Sequence, residues 1–351
     1  MKIAIITIID YTNFGNRLQN YALIKKIKEI YKDAEIDTVG GCSKHILSYL
    51  YPVISPFTFV PILKRKKRMI ESCKRVGKTI GADFFSMKKL RKLGEEYDAF
   101  VMGSDQIWNP GFVENPNLKF ALFADGDKCM AYSASFGVSN IKKNKVEVFK
   151  KGLNHTKYIS VREFRGKELV KELVDKDAQV VLDPTLLLKK CEWQEYAKHV
   201  ENLPKKYLLT YGFNLPKAFR EYVDNVAKKY GLEVVNINKF TSKFTTSTAQ
   251  EFIDILLNAS LICTNSFHGH ALSIALEKPF VSFPPKKSYD SRVSSILKIA
   301  GLEGRNYQQL KDEDLFRLDY EPVNKRLDAE REKSFNFLKN SLDSIIGNKQ
   351  K

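Results

Sequence analysis

Cysteine is scarce in this sequence, and its spacing is irregular. The chain has five, none in a Cys-x-x-Cys pair: Cys42, Cys73, Cys129, Cys191 and Cys263. This pattern excludes a disulfide framework and gives no indication of a structural zinc site. It fits the reducing cytoplasm, where we expect the protein to be located. The apolar N-terminal run ends at Asp10, short of signal-peptide length, and predicts a buried first strand.

Acidic residues are also under-represented. Lys and Arg together number 58 against 41 Asp and Glu, which gives a formal net charge of +17. Such a charge suits nucleic acid, an anionic membrane surface or an anionic substrate, and it also suits a protein whose lysines only maintain solubility. The interleaved aromatic and basic residues of nucleic-acid-binding surfaces are missing, so we predict no nucleic-acid partner.

The sequence contains many short apolar runs, and each is followed by a polar turn and then by a helical pattern. This rhythm is typical of βαβ units. One series covers residues 1–200, and a second begins after Pro204 and covers 206–315. The sequence therefore predicts an α/β protein with two Rossmann-type, doubly wound domains facing a cleft, and ligands at the carboxyl ends of the strands. Residues 324–346 have helical spacing and predict a C-terminal helix that packs back on a domain.

The segment 46–68 departs from this rhythm. It is apolar and aromatic up to Leu63 and then strongly basic, while Pro52, Pro56 and Pro61 exclude a membrane-spanning helix. One interpretation is peripheral contact with an anionic membrane or with a lipid-linked substrate. The other is a helical hairpin that covers the sheet edge and exposes a solvated basic face.

The motif FGNRLQNYAL lies between the first strand and the first helix. A glycine turn that opens a helix exposes backbone N–H groups to a phosphate or carboxylate, and Asn16 and Arg17 would add side-chain donors. An ordinary capped helix start has the same pattern.

The motif GSDQIWNP follows a later strand. Polar side chains at a strand end are costly unless they meet a ligand or one another. Asp105 could accept a proton from a substrate hydroxyl, Gln106 and Asn109 could hydrogen-bond other hydroxyls, and Trp108 could stack on a ring. Alternatively, Asp105 caps a helix and Trp108 belongs to the core.

Two further motifs follow the next strands. In YSASFG, the small residue Ser133 would let a substrate approach the backbone, although the motif also suits a tight packing turn. In SVRE, Arg162 is placed to hold a carboxylate or phosphate with two parallel hydrogen bonds. The alternative for Arg162 is an ion pair with Glu163 or another acid.

The motif TNSFHGH follows a strand of the second series and precedes a helix. A histidine at such a helix start faces the cleft, where its protonation can be used in catalysis, and we assign this role to His268 rather than His270. The spacing of Cys263, His268 and His270 does not fit a metal site, so no metal is predicted.

Six segments, taken in their order along the chain, resemble the polysaccharide pyruvyl transferase family. They are FGNRLQNYAL, GSDQIWNP, YSASFG, SVREFRG, LDPTLLL and SFHGHALSIALEKPFVSF. The resemblance implies a GT-B-like pair of domains, the first on the acceptor side and the second on the donor side. It implies phosphoenolpyruvate as co-substrate, no cofactor, and a saccharide acceptor of capsule or exopolysaccharide assembly, expected to be linked to undecaprenyl pyrophosphate. His268 resembles the family's catalytic histidine, and Arg162 its strand-end arginine.

One position departs from the family pattern. Many relatives have arginine two residues before the histidine, where this chain has Ser266, followed by Phe267 in place of leucine. A trianionic donor needs cationic partners, so Arg292 and Arg17 are expected to bind it together with Arg162, Asn16 and Ser266. Lys286 and Lys287 are alternatives.

The expected reaction begins with proton donation from His268 to the donor, while Asp105 or Asp183 acts on the acceptor hydroxyl. The competing hypothesis is a GT-B glycosyltransferase of the same pathway that uses a nucleotide sugar. Acceptor identity, ketal stereochemistry and oligomeric state do not follow from the sequence.

Overall fold

The computed structural model of the chain describes residues 1–41, 56–74, 76–239, 242–283 and 290–347. Residues 42–55, with Cys42 and the first part of the predicted segment 46–68, lie outside the described residues, as do Lys286 and Lys287.

The first half of the chain forms a seven-stranded parallel sheet with the order β3-β2-β1-β4-β5-β6-β7. Its strands are β1 Lys2–Ile8, β2 Glu35–Gly41, β3 Thr79–Gly81, β4 Ala99–Met102, β5 Cys129–Ala134, β6 Tyr158–Val161 and β7 Gln179–Val180. Its helices are α1 Phe14–Ile30, α2 Pro56–Cys73, α3 Met87–Glu96, α4 Pro116–Lys119, α5 Val146–His155, α6 Phe164–Val174, α7 Pro184–Leu187 and α8 Lys190–Tyr196. The strand order reverses between β1 and β4, and a crevice for a ligand opens at such a point.

The second half forms a four-stranded parallel sheet with the order β11-β10-β8-β9. Its strands are β8 Tyr207–Tyr211, β9 Glu233–Asn236, β10 Leu261–Thr264 and β11 Phe280–Ser282. Its helices are α9 Lys217–Tyr230, α10 Ala249–Asn258, α11 Phe267–Ala275 and α12 Asp290–Ala300. Strands such as β4 and β10 are buried along their whole length, with Thr264 as their one polar residue, because helices cover both faces of each sheet. The α/β class with two parallel sheets is confirmed.

The two halves share one hydrophobic core. Phe14 at the start of α1 stacks on Phe252 of α10, with 4.4 Å between ring centroids, and also contacts Tyr211 of β8. All three side chains belong to the same buried cluster as Ile3 and Ile5 of β1. The carboxyl ends of the two sheets are therefore pressed together at this point.

The C-terminal helix α13, Glu321–Gly347, packs back on the first half, as predicted. Its apolar stripe, which includes Leu327, Leu338 and Leu342, is fully buried. The hydroxyl of Ser334 accepts a hydrogen bond from the backbone N–H of Leu182 at 2.9 Å. The helix thus lies against the segment that leads from β7 into α7.

The basic cluster of α2 is the run 64–68, and its two arginines contact the second half of the protein. The guanidinium of Arg65 is buried and donates to the carbonyls of Ile237 (2.7 Å) and Thr245 in the second half, while Arg68 pairs with Glu251 at 2.6 Å. These two arginines join the halves, so the basic cluster is not wholly a solvated face. Among the described helices, none is long and apolar enough to cross a membrane.

Candidate functional site

The candidate site lies where five chain segments meet at the carboxyl ends of β1, β4, β6, β7 and β10. The loops after β1 and β4 diverge at the reversal of strand order, and the loop after β10 in the second half faces them. Five of the six motif segments thereby reach one buried cluster, with Asp105, Arg162, Asp183 and His268 at its centre.

Arg162, directly after β6, holds the cluster together. Its guanidinium pairs with Asp183 at 2.9 Å and Asp105 at 3.2 Å, and Nε lies 4.0 Å from Glu163. Its side chain is 1% exposed and lies 4.1 Å from the ring centroid of Phe267, next to the histidine. The cation is thus already matched by carboxylates, so Arg162 is not the open anion receptor that the sequence predicted.

Asp105 lies in the loop after β4 with a left-handed backbone, φ of 66°. One carboxylate oxygen pairs with Arg162 and the other accepts from the Asn16 side chain at 3.0 Å. Burial raises the pKa of this carboxyl, but Arg162, His268 and the bond from Asn16 outweigh burial and hold the pKa well below its usual range. A carboxylate of such low pKa is a poor proton acceptor, so the geometry favours Asp105 as an anchor rather than as the predicted base.

Asp183, the alternative base predicted from the sequence, uses both carboxylate oxygens within the cluster and the helix that follows it. Oδ2 accepts from Arg162 and from the Ser104 hydroxyl at 3.1 Å. Oδ1 accepts from the backbone N–H of Thr185 at 3.0 Å, which caps helix α7. The sequence could have indicated that Asp183 caps a helix, because an Asp-Pro pair after an apolar run is typical of a helix start.

His268 stands in the first turn of α11, only 6% exposed, and its ring rests on the first turn of α1. A Cβ atom added at Gly15 would lie 2.2 Å from Cγ of this ring, so only glycine permits the approach. Its Nε2 lies 3.9 Å from Oδ2 of Asp183 and has no hydrogen-bond partner among the described residues.

The protonation of His268 follows from this burial. Desolvation lowers its pKa below the usual value, and the nearby Asp183 and Asp105 only partly oppose the effect, while Arg162 and Arg292 reinforce it. The ring is therefore neutral at neutral pH in this structure. Arriving negative charge would raise its pKa and draw a proton onto it.

Asn16 and Arg17 are close in sequence but have different surroundings. Asn16 binds Asp105, whereas Arg17 turns away and donates to the carbonyl of Ile8 at 2.7 Å and to Asn16 Oδ1. The N-terminal turn of α1 is fully buried and capped by Asn13. The predicted exposure of this helix start to a phosphate is therefore wrong for this structure.

Trp108, Gln106 and Asn109 form the loop after Asp105. Trp108 is completely buried, with its ring 5.5 Å from those of Phe120 and Phe136, so the predicted stacking on a substrate is wrong and the residue packs the core. The Asn109 side chain donates to that of Gln106 at 2.7 Å. Both amides are used within the loop rather than presented to a ligand.

Ser133 is buried and also has a left-handed backbone, φ of 50°. Its hydroxyl has no hydrogen-bond partner among the described residues, and its carbonyl accepts from Ser104 at 2.8 Å. The neighbouring loop is held by Glu163, whose Oε1 accepts from the Ser135 hydroxyl and the Phe136 N–H. The sequence offered Glu163 only as a partner of Arg162 and did not reveal this role.

The remaining residues of the second half surround His268. Ser266 is the N-cap of α11, and its carbonyl accepts from Nδ1 of His270 at 2.7 Å. That bond leaves Nε2 of His270 as acceptor for the Ser282 hydroxyl at 2.8 Å, and burial lowers the pKa of His270 to about 4. His270 is therefore a neutral structural ring. Arg292 in α12 is buried near enough to His268 to affect its titration.

Within the described part of the chain, no group of three His, Cys, Asp or Glu side chains is placed to hold a metal ion.

Comparisons with solved structures show the fold. A putative UDP-N-acetylglucosamine 2-epimerase from Listeria monocytogenes aligns with a TM-score of 0.53 and 13% identity, covering 97% of this chain and 94% of the other. The S. aureus MnaA structure with UDP aligns with a TM-score of 0.54 and 13% identity, covering 97% of both chains. The predicted GT-B-like architecture is confirmed, and at this identity the likeness extends to the fold alone.

Sequence comparisons address the family. The search against curated proteins gives no match. The sequence profile of the polysaccharide pyruvyl transferase family matches residues 13–287, a span that begins beside the first motif and runs past the histidine motif. The chain therefore belongs to the polysaccharide pyruvyl transferase family.

Proposed function

We propose that this protein transfers a pyruvyl group from phosphoenolpyruvate to a saccharide and forms a cyclic ketal, with His268 as the proton donor. The observation that carries this proposal is the position of the His268 ring, which lies against Gly15 of α1 beside the cluster of Arg162 and its carboxylates, while its Nε2 has no hydrogen-bond partner among the residues that the structure describes.

In the proposed reaction, protonated His268 gives its proton to the methylene carbon of phosphoenolpyruvate. The adjacent carbon becomes oxocarbenium-like, and one sugar hydroxyl attacks it and gives its proton to the imidazole, which restores the protonated ring. A second hydroxyl then forms another C–O bond at the same carbon while the C–O bond to phosphate breaks, and its proton leaves with the phosphate. The products are the cyclic ketal and inorganic phosphate. Proton transfer by a positioned side chain is typically worth about a hundred- to ten-thousand-fold in rate.

The neutral resting state of His268 fits this sequence of events. A donor with three negative charges would raise the pKa of the ring, so the acid would form only when the donor is bound. Asp183, 3.9 Å from Nε2, would stabilise the protonated ring.

Arg162 has a different part in the proposal from the one predicted. Its bonds to Asp105 and Asp183 hold the two carboxylates beside the ring, so it positions the acid and does not receive the donor. We assign the donor's phosphate or carboxylate to Arg292, a buried cation of α12 that helps to lower the pKa of His268. Lys286 and Lys287 remain candidates from the sequence.

A saccharide acceptor is implied by the family, and its attachment to undecaprenyl pyrophosphate is part of the proposal. The lysines of α2 that stay exposed, such as Lys64 and Lys67, support an anionic carrier.

The decisive experiment incubates the protein with phosphoenolpyruvate and lipid-linked oligosaccharide acceptors, and follows phosphate release and product mass. His268→Ala should lose most turnover and keep its fold. His199→Ala is the matched control, because that ring is 82% exposed and lies beside Asp254, which is not part of the cluster. Near-normal turnover of His268→Ala would remove the assignment. Thermal stabilisation by a uridine or guanosine diphosphate sugar, without any by phosphoenolpyruvate, would favour the glycosyltransferase hypothesis instead.

A further inference from the structure

Tyr211, at the carboxyl end of β8, has a buried hydroxyl group that makes no hydrogen bond within the described part of the chain. Its side chain is 1% exposed, and the hydroxyl oxygen has no partner among the described residues. A buried hydroxyl without a partner destabilises the folded state, and such groups are few in native proteins. Phenylalanine would fill the same space without this cost, so the hydroxyl itself requires an explanation.

The packing of the tyrosine ring fixes the position of this hydroxyl. The ring centroid lies 4.8 Å from that of Phe252 and 6.3 Å from that of Phe14, and all three rings belong to the core. The hydroxyl is thereby held near the starts of α1 and α11, where the backbone N–H of Gly15 and the side chain of Ser266 affect its titration. Gly15 is also the residue against which the His268 ring rests. The phenol and the imidazole therefore have a common neighbour where the two halves meet.

The phenol is protonated at neutral pH. Burial raises the pKa of Tyr211 well above its usual value, and the N–H of Gly15, the guanidinium of Arg65 and the hydroxyl of Ser266 only partly oppose this effect. Gly15 and Ser266 lie near the phenol, but neither makes a hydrogen bond of normal geometry with it. The O–H group is therefore available to donate to a ligand.

We propose that Tyr211 is a binding residue for the anionic donor, and that its hydroxyl donates a hydrogen bond to a phosphate or carboxylate oxygen of phosphoenolpyruvate beside His268. The ligand then supplies the acceptor that the protein does not, and a hydrogen bond to a charged acceptor is stronger than one between neutral groups. The phenol and the imidazole are both buried in the contact between the halves, so a bound donor would replace part of this contact. The inference rests on the proposed function, because it adds a residue to the same site.

Tyr207, at the amino end of β8, provides a matched control. It lies on the same face of the strand, is also 1% exposed, and belongs to the same buried cluster as Tyr211. Its hydroxyl, in contrast, donates to the carbonyl of Ile255 at 2.5 Å. Four residues of a strand span about 13 Å, which keeps Tyr207 away from the candidate site.

The test compares Tyr211→Phe with Tyr207→Phe in the full chain. Binding of phosphoenolpyruvate is measured by isothermal titration calorimetry, and stability by denaturant unfolding. Tyr211→Phe should raise the Kd for phosphoenolpyruvate about ten- to a hundredfold, because a hydrogen bond to a charged group is lost. Its unfolding midpoint should stay unchanged or rise. Tyr207→Phe should keep the Kd and lower the unfolding midpoint, because the carbonyl of Ile255 loses its partner.

The possible results separate this inference from the proposed function. If the original protein and Tyr211→Phe bind phosphoenolpyruvate equally well, the inference is wrong and the proposed function stands. An unfolding midpoint lowered as far in Tyr211→Phe as in Tyr207→Phe would also overturn the inference, whatever the Kd, because it would assign the hydroxyl to the fold. If the original protein binds no phosphoenolpyruvate, the proposed function and the inference both fail.

Discussion

The contact between Gly15 and His268 is the most sensitive test of the site. A methyl group at position 15 would lie 2.2 Å from Cγ, 2.3 Å from Nδ1 and 2.4 Å from Cβ of His268. Both residues are buried, in helices α1 and α11 of opposite halves. Gly15→Ala must therefore displace the imidazole or separate the two helix starts.

The magnitude follows from two opposed effects. Alanine in place of glycine inside a helix stabilises it by up to about 1 kcal/mol. Overpacking of a well-packed site costs about 1–3 kcal/mol. We expect a net loss of about 1–2 kcal/mol in the free energy of unfolding. A displacement of about 1 Å at the acid should lower turnover on the order of a hundredfold.

Stability is measured by denaturant unfolding, and activity by phosphate release from phosphoenolpyruvate. A double variant, Gly15→Ala with His268→Ala, separates the clash from other effects, since the added methyl group has no ring to meet when the imidazole is removed. In that background, Gly15→Ala should be neutral or slightly stabilising, which gives a coupling free energy of about 1–3 kcal/mol. Gly304→Ala is the control, because an added Cβ there meets nothing within 4 Å.

Two results would refute the reasoning. Gly15→Ala with unchanged turnover would show that the ring's position against α1 is unimportant for the reaction. Equal destabilisation by Gly15→Ala with and without the ring of His268 would show that the two residues are not in contact.

Three other predictions concern the surrounding residues. Trp108→Ala should cost about 3–5 kcal/mol in unfolding free energy as a fully buried residue, yet leave the KM for the acceptor unchanged in steady-state assays, whereas a stacking role would raise KM. Asp183→Asn should cost about 3–5 kcal/mol in denaturant unfolding because it leaves the Arg162 charge buried without one of its partners, and a loss below about 1 kcal/mol would contradict the buried pair. Burial lowers the pKa of His270 to about 4 in the folded protein, whereas the unfolded chain protonates this ring near pH 6.5. The contribution of the neutral ring to the free energy of unfolding should therefore be complete above about pH 6.5 and decrease as the pH falls towards 4. Unfolding measured across this range should show the loss, and His199→Ala, which removes an exposed ring, should leave its slope unchanged.

The sequence by itself determined the class of fold and the order of its parts. Buried parallel strands need continuous apolar runs, and the helices between them need amphipathic spacing, so both halves and the C-terminal helix were visible as patterns. It also indicated where the candidate residues lie along the chain, because Asp105, Arg162 and His268 each follow a strand. The carboxyl ends of parallel strands share one edge of a sheet, which brings Asp105 and Arg162 together, and His268 reaches them from the facing edge of the second sheet.

Only the tertiary structure decided which partner each side chain has. A pattern reports that a residue is buried, but not what lies opposite it. The sequence left two alternatives each for Arg162 and Trp108, and the packing decided for the ion pairs of Arg162 with Asp105 and Asp183 and for the burial of Trp108 among phenylalanines. The same holds for Arg17, which turns to the carbonyl of Ile8, and for Arg65, which crosses to the second half. The contact of Arg65 joins residues distant in sequence and depends on how the two sheets pack, which no local pattern records.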